Sequence, residues 1–205
     1  TKLKKRKQGN FSIDLSRSGI YAKRSKAFPN NTELEATVTY KGSDAGEHLR
    51  TVTPDSTAVT VNLHHSLIKL PDDNYQSRAF HPYSGFWSNS YADYASDIDQ
   101  PLIQRSIPRH RLNKKDVTLA ISEAVEPIIY YLDAGVPEPI KSALLDGARW
   151  WDQAFSAIGY KNAFQVKMLP ADADPMDVRY NVIQWVHRAT RGWSYGASVI
   201  DPRTG

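Results

Sequence analysis

Cysteine is absent from the 205-residue sequence. This absence excludes a disulfide framework, a cysteine nucleophile and any zinc site with thiolate ligands. Apolar runs are also short, and none reaches the roughly 18 residues that a membrane-spanning helix needs. The sequence starts at Thr1 and has no apolar signal segment, so we expect that upstream residues have been removed from it.

Complete catalytic motifs are lacking as well. The six histidines include no pair with the H-E-x-x-H spacing, which places two imidazoles on one helical face. Neither a G-x-S-x-G nucleophile motif nor a glycine-rich phosphate loop is present. His64 and His65 are adjacent on a predicted strand, so they point to opposite faces, and we expect His65 to pack inward with a hydrogen-bond partner. The residues therefore predict no catalytic group and no metal ligand in this chain.

The formal net charge is +4, and much of this excess lies at the N-terminus. We interpret residues 1–10 as a solvated basic arm; its cations are Lys2, Lys4, Lys5, Arg6 and Lys7. A second basic cluster contains Arg109, His110 and Arg111, but no aromatic residues alternate with them as they do in many nucleic-acid-binding surfaces. We therefore predict no nucleic-acid partner.

Residues 11–70 show the period-two alternation of half-buried strands. The segment 33–40 predicts an apolar core face and a polar solvent face. The core face would consist of Leu34, Ala36, Val38 and Tyr40, and the solvent face of Glu33, Glu35, Thr37 and Thr39. Turn-forming residues separate this segment from its neighbours. We predict a small antiparallel β module.

Residues 71–125 lose this periodicity and are rich in aromatic side chains. Loops of this length in compact domains usually carry a function or are disordered, and the aromatic content argues against disorder. The segment is interpreted as an ordered loop and connector whose rings pack onto the β module. The alternative is that the rings form a wall of a substrate groove. The rings belong to Tyr75, Phe80, Tyr83, Phe86, Trp87, Tyr91 and Tyr94.

Residues 126–205 predict a strand, a long helix and three further strands. Ile140, Leu144, Ala148, Trp151, Phe155 and Ile158 form one apolar stripe at helical spacing. Gly159 is suited to end this helix. A strand–helix–strand connection favours parallel pairing of its two strands. Further strands are predicted over residues 164–169, 178–186 and 194–200, and the last of them leads into a turn at residues 201–205. The fold class is therefore α+β.

Three segments resemble bacterial zinc-dependent metalloproteases of the metzincin type, a matrix-metalloproteinase-like family with a large upstream domain. They read PEPIKSALLDGARWWDQAF at residues 137–155, ADADPMDVRYNVIQWVHR at 171–188 and RGWSYGASVIDPRTG at 191–205. Upstream, TVNLHHS at 60–66, LPD at 70–72 and RHRL at 109–112 are similar to that family's upstream domain. The resemblance implies that residues 126–205 begin a catalytic domain, an incomplete upper subdomain with a mixed, twisted sheet and one long backing helix.

The family's zinc motif follows the D-P-R-T-G turn, so the resemblance implies that the zinc ligands and the catalytic glutamate lie outside this chain. The complete protein would be a secreted or periplasmic bacterial enzyme that hydrolyses peptide bonds with zinc-activated water. Its partners would be a protein or peptide substrate and the remainder of its own catalytic domain. In this family the edge strand before the zinc helix pairs with substrate. That strand corresponds to Tyr195, Gly196, Ala197, Ser198 and Val199. A non-catalytic peptide- or glycan-binding module, lined by the aromatic loop, is the alternative function.

Overall fold

The computed structural model describes residues 2–187 and 193–205. The chain divides into two compact units. The first contains the residues up to Lys69 together with Met176–Arg179, and the second contains Leu70–Pro175 and Tyr180–Gly205. Strands and helices occur in both parts of the sequence, which confirms the α+β class. Among the described residues, no helix is long and apolar enough to cross a membrane.

The first unit is an antiparallel sheet with four strands. They are β1 (Asn10–Ile20), β2 (Lys26–Ala27), β3 (Asn31–Ser43) and β4 (Ala58–Ile68), with α1 (Lys2–Lys5), α2 (Glu47–Val52) and a 3-10 turn at Ala22–Arg24. The central strand is β3. It pairs with β4 over eleven consecutive positions, from Asn31 opposite Ile68 to Lys41 opposite Ala58. The predicted alternation therefore identified real strands.

The buried face of this sheet is the polar one, so the predicted orientation is wrong. Glu33 and Glu35 are 4% and 5% exposed, whereas Leu34 between them is 47% exposed. The register places Glu35 opposite His64, so His64 shares a face with the buried carboxylates although its own side chain is 32% exposed, and His65 lies on the opposite, exposed face. The expected inward packing of His65 is therefore also wrong. Alternation fixes which residues share a face but not which face is covered, and here the polar groups bond to one another.

The second unit begins with an antiparallel hairpin inside the aromatic-rich segment. It consists of β5 (Asn89–Ala92) and β6 (Ile103–Ser106), and a 3-10 turn at Pro82–Ser84 precedes it. Tyr83, Trp87 and Tyr94 are 93%, 89% and 87% exposed, so these three side chains do not pack onto the β module as expected. No β-period marks this segment because the hairpin strands are four residues long and carry few apolar side chains.

A three-stranded parallel sheet follows, with strand order β10–β8–β11. Its strands are β8 (Ile128–Leu132), β10 (Phe164–Met168) and β11 (Asn181–Ile183), while β7 (Ser122–Glu123) and β9 (Tyr160–Lys161) form a separate parallel pair. The predicted crossover is confirmed, because β8 and β10 are parallel and helices connect them. In the described part of the chain this sheet is parallel rather than mixed as expected, and β11 is shorter than predicted.

Two helices, α3 (Ile140–Arg149) and α4 (Trp151–Ala157), replace the single long helix that was expected. Gly159 follows α4 with φ of +86°, which confirms its predicted role. The inward stripe passes through Leu144, Ala148, Asp152 and Phe155, whereas Trp151 is 63% exposed. With 3.6 residues per turn, the inward face can continue from Ala148 to Phe155 through either Trp151 or Asp152. The prediction that Trp151 lies on the inward face of the helix, which rested on its hydrophobicity, is therefore wrong.

The predicted strand over residues 194–200 is not formed: the described residues there have no regular secondary structure. A strand exists only where a neighbour supplies ladder hydrogen bonds, and none of the described strands pairs with residues 196–200. The turn that follows is confirmed. The N–H of Gly205 donates to the carbonyl of Asp201 over 2.9 Å.

Substitution of Phe155 and Trp151 by alanine tests the corrected helix orientation. The ring of Phe155 stacks on Phe164 with centroids 5.7 Å apart. We expect Phe155→Ala to lower the free energy of unfolding by about 3 kcal/mol. Trp151→Ala should change it by about 0.5 kcal/mol or less, because the ring is largely solvated. Urea unfolding of both variants measures the difference, and the opposite ranking would restore the sequence-based orientation.

Candidate functional site

The predicted substrate-contacting residues lie at the surface of the second unit. Tyr195 is 74% exposed and Val199 is 70% exposed. A side chain added at Gly196 would meet no atom within 4 Å, so the space beside this backbone is open. Among the described residues, the backbone groups from Gly196 to Ile200 form no hydrogen bond with other backbone groups.

The turn after this segment is held rigidly by its own side chains. The carboxylate of Asp201 accepts a hydrogen bond from the backbone N–H of Arg203 at 2.9 Å and another from its guanidinium Nη2 at 2.7 Å. Hydrogen bonding by Arg203 lowers the pKa of Asp201 below its usual range. Because both contacts favour the ionised carboxylate, the turn keeps its shape at neutral pH.

Upstream residues fix this turn to the remainder of the second unit. The Ser77 hydroxyl donates to the carbonyl of Thr204 at 2.8 Å, and the Asn89 amide donates to the carbonyl of Pro202 at 3.3 Å. The N–H of Arg109 donates to the carbonyl of Gly205 at 2.9 Å. The aromatic-rich segment therefore adjoins the end of the predicted substrate strand. Sequence reasoning kept these regions in separate domains, and no local pattern signals contacts between residues so distant in the sequence.

A second feature of this unit is an open cavity of about 610 Å³. Its lining is polar and carries three arginines, Arg78, Arg109 and Arg111, beside Asn74, Tyr75, Gln76, Ser77, Ala79 and Asn113. The basic cluster at residues 109–111 was visible in the sequence. Its association with Arg78 and Tyr75 was missed because only the fold brings the two segments together.

The buried polar face of the first unit contains the other cluster of titratable groups. His64 Nε2 lies 2.6 Å from Glu33 Oε2, and His64 Nδ1 lies 2.9 Å from Glu35 Oε2. Ser66 and Asn31 donate hydrogen bonds to Glu33, and Arg24 Nε lies 2.8 Å from Glu35 Oε2. Two carboxylates are thereby balanced by the imidazole and a guanidinium. We name these residues the β3–β4 network.

This network is suited to stability rather than to catalysis. The Ser66 hydroxyl donates to Glu33, but the same carboxylate also accepts from Asn31 and faces the His64 imidazole, and its lowered pKa makes it a weak base for activating a nucleophile. Both imidazole nitrogens of His64 face carboxylates, and only the protonated ring can donate from both. No set of three or more acidic, histidine or cysteine side chains in the described part of the chain could hold a metal ion.

The β3–β4 network shifts the pKa values of its members. Hydrogen bonds to Glu33 and then to Glu35 raise the pKa of His64 above 6.5. Burial raises the pKa of Glu33, but the hydrogen bonds from Ser66, Asn31 and His64 outweigh it and leave that pKa below its usual 4.5. Each shift favours the charged form of its group, so the folded unit stabilises the ion pair between His64 and Glu33.

Comparison with known proteins places the N-terminal part of this chain in a family. Residues 1–115 match the model named Domain of unknown function (DUF5117), which is more than half of the sequence. The chain belongs to this family. No curated protein and no solved structure matches it. The matched residues include the β3–β4 network and the whole lining of the cavity, but not the segment 195–199.

The pKa shift of His64 predicts a pH-dependent stability. Because the folded pKa is raised, the stabilisation is complete below about pH 6.5 and is lost as pH rises through the folded pKa. Urea midpoints of the wild-type chain should therefore fall as the pH is raised above about 6.5. His64→Gln should remove this decline, and His65→Gln, which alters the exposed neighbour, should keep it. Equal slopes in all three proteins would contradict the assigned role of His64.

Proposed function

We propose that this chain is the upstream domain and the first part of the catalytic domain of an exported bacterial zinc metalloendopeptidase. The resemblance of residues 126–205 to metzincin proteases supports the proposal, and the order strand, helix, parallel strand agrees with it. The zinc ligands and the general base belong to residues outside this chain. The role of the chain itself is to bind substrate and to support the remainder of the catalytic domain.

The observation that carries the proposal is the exposed, anchored segment at residues 195–199. The backbone groups of residues 196–199 form no hydrogen bond with other described backbone groups, and the turn that follows is fixed by Ser77, Asn89 and Arg109. An extended substrate forms main-chain hydrogen bonds with such a segment, as a strand added to a sheet does. The small residues Gly196, Ala197 and Ser198 permit close approach of a second backbone. The segment becomes a strand when substrate supplies the pairing partner.

A second candidate function rests on the exposed rings of the aromatic-rich segment. Tyr83, Trp87 and Tyr94 present nearly complete ring surfaces to solvent. Large exposed aromatic side chains are typical of binding surfaces for peptides or sugars. This alternative makes the chain a binding module without catalysis. The zinc content of the complete protein distinguishes the two functions, because only the protease requires about one tightly bound ion per molecule.

Substitution of Ser198 by proline tests the proposed substrate contact in the complete protein. Proline removes one backbone N–H and therefore one main-chain hydrogen bond to substrate. We expect kcat/KM for a peptide to fall about ten-fold, which corresponds to about 1.4 kcal/mol. The thermal midpoint should remain nearly unchanged, because Ser198 forms no backbone hydrogen bond with another described residue. The matched control is Ser198→Ala, which keeps the N–H and should keep the activity.

Two results would contradict this proposal. Full activity of the proline variant, with unchanged stability, would show that Ser198 does not hold substrate. Absence of both bound zinc and peptide hydrolysis in the complete protein would reject the protease and favour the binding module. Loss of ring-dependent ligand binding in Trp87→Ala would then be the positive evidence for that second function.

A further inference from the structure

The cavity of the second unit has a strongly cationic lining. Three arginines contribute to it, and none of its lining residues is acidic. Among the described residues, neither Arg78 nor Arg109 forms an ion pair, so both guanidiniums remain available for a ligand. Unpaired cations around one concave site favour an anionic ligand through their combined field.

Tyr75 orients two of these cations. The guanidinium carbon of Arg109 lies 6.0 Å from the centre of the Tyr75 ring, and that of Arg111 lies 5.8 Å away. Cation–π contacts at such distances hold each guanidinium in a defined orientation. The planar donor groups are therefore partly preorganised, which reduces the entropy lost when a ligand binds.

Arg111 also shows how a carboxylate is recognised at this site. Its Nη1 lies 2.8 Å from Oδ1 of Asp72, a residue that precedes the lining segment. A backbone hydrogen bond from Asn74 and then the contact with Arg111 lower the pKa of Asp72. The carboxylate of a ligand can make the same kind of contact with Arg78 and Arg109, whose guanidiniums have no carboxylate of their own.

A peptide fits this cavity better than a sugar. Sugars bind on open aromatic faces, but the only ring in the lining, that of Tyr75, already contacts two guanidiniums. The side-chain amides of Asn74, Gln76 and Asn113 can donate to and accept from a peptide main chain. We propose that this cavity binds an acidic peptide segment, with Arg78 and Arg109 contacting its carboxylates. The proposal is independent of the protease function.

Calorimetric titration of the 205-residue chain with a blocked hexa-glutamate peptide tests the proposal. The matched control peptide is hexa-glutamine, which lacks the carboxylates and should bind at least about ten-fold more weakly. Arg109→Gln and Arg78→Gln should each weaken binding of the glutamate peptide about ten-fold. The control variant is Arg105→Gln, which removes the same charge from an exposed arginine outside the cavity. It should change the affinity less than about two-fold.

Three outcomes would overturn the assignment. Equal affinity in the Arg109→Gln and Arg105→Gln variants would show that net charge, not this cavity, attracts the peptide. A sulfated disaccharide that binds more tightly, with the same dependence on Arg109, would assign the cavity to glycans. Inorganic phosphate that binds as tightly as the peptide would reduce the site to one for small anions. Circular dichroism of each variant confirms that a weakened interaction does not arise from unfolding.

Discussion

The imidazole of His64 lies between the carboxylates of Glu33 and Glu35, and the N-terminal sheet depends on this contact. Both carboxylates are at least nine-tenths buried, and an uncompensated buried charge would cost several kcal/mol. Arg24, Ser66 and Asn31 complete the compensation. Asn31 also bonds to the carbonyl of Met176 at 2.8 Å, so the network joins a distant segment to the sheet.

This network explains why residues from the end of the chain belong to the first unit. The Asn31 amide oxygen accepts from the N–H of Val178 at 3.1 Å, and Arg179 is paired with the buried Asp177. Met176–Arg179 adopt an irregular conformation in the first unit, and the strand predicted over residues 178–186 is formed only at Asn181–Ile183. Hydrogen bonds with the remote Asn31 outweighed the local β propensity, and no sequence pattern predicts such a contact.

The predictable part of the fold was its local periodicity. Strands β1, β3, β4, β8 and β10, the helical region and the glycine that ends it all follow from spacing and turn chemistry. The orientation of each element was less predictable, as Glu33 and Trp151 show in opposite ways: a charged residue is buried and an indole is exposed. Which face of a strand or helix is buried depends on the segments that pack against it, and residue propensity contains no information about those segments.

The candidate sites differ in the same respect. The exposed segment 195–199 could be predicted from the sequence, because the resemblance and the D-P-R-T-G turn after it identify its position. Its predicted strand conformation is not formed in this chain. The arginine cavity could not be predicted from the sequence, because its lining combines residues 74–79 with residues 109–113, which are distant in the chain. Both segments of that cavity lie inside the family match, whereas residues 195–199 lie outside it. The residues that fix the D-P-R-T-G turn, Ser77, Asn89 and Arg109, are also within the match. Residues of the aromatic-rich segment therefore hold this turn in place through hydrogen bonds, although Tyr83, Trp87 and Tyr94 in the same segment are exposed.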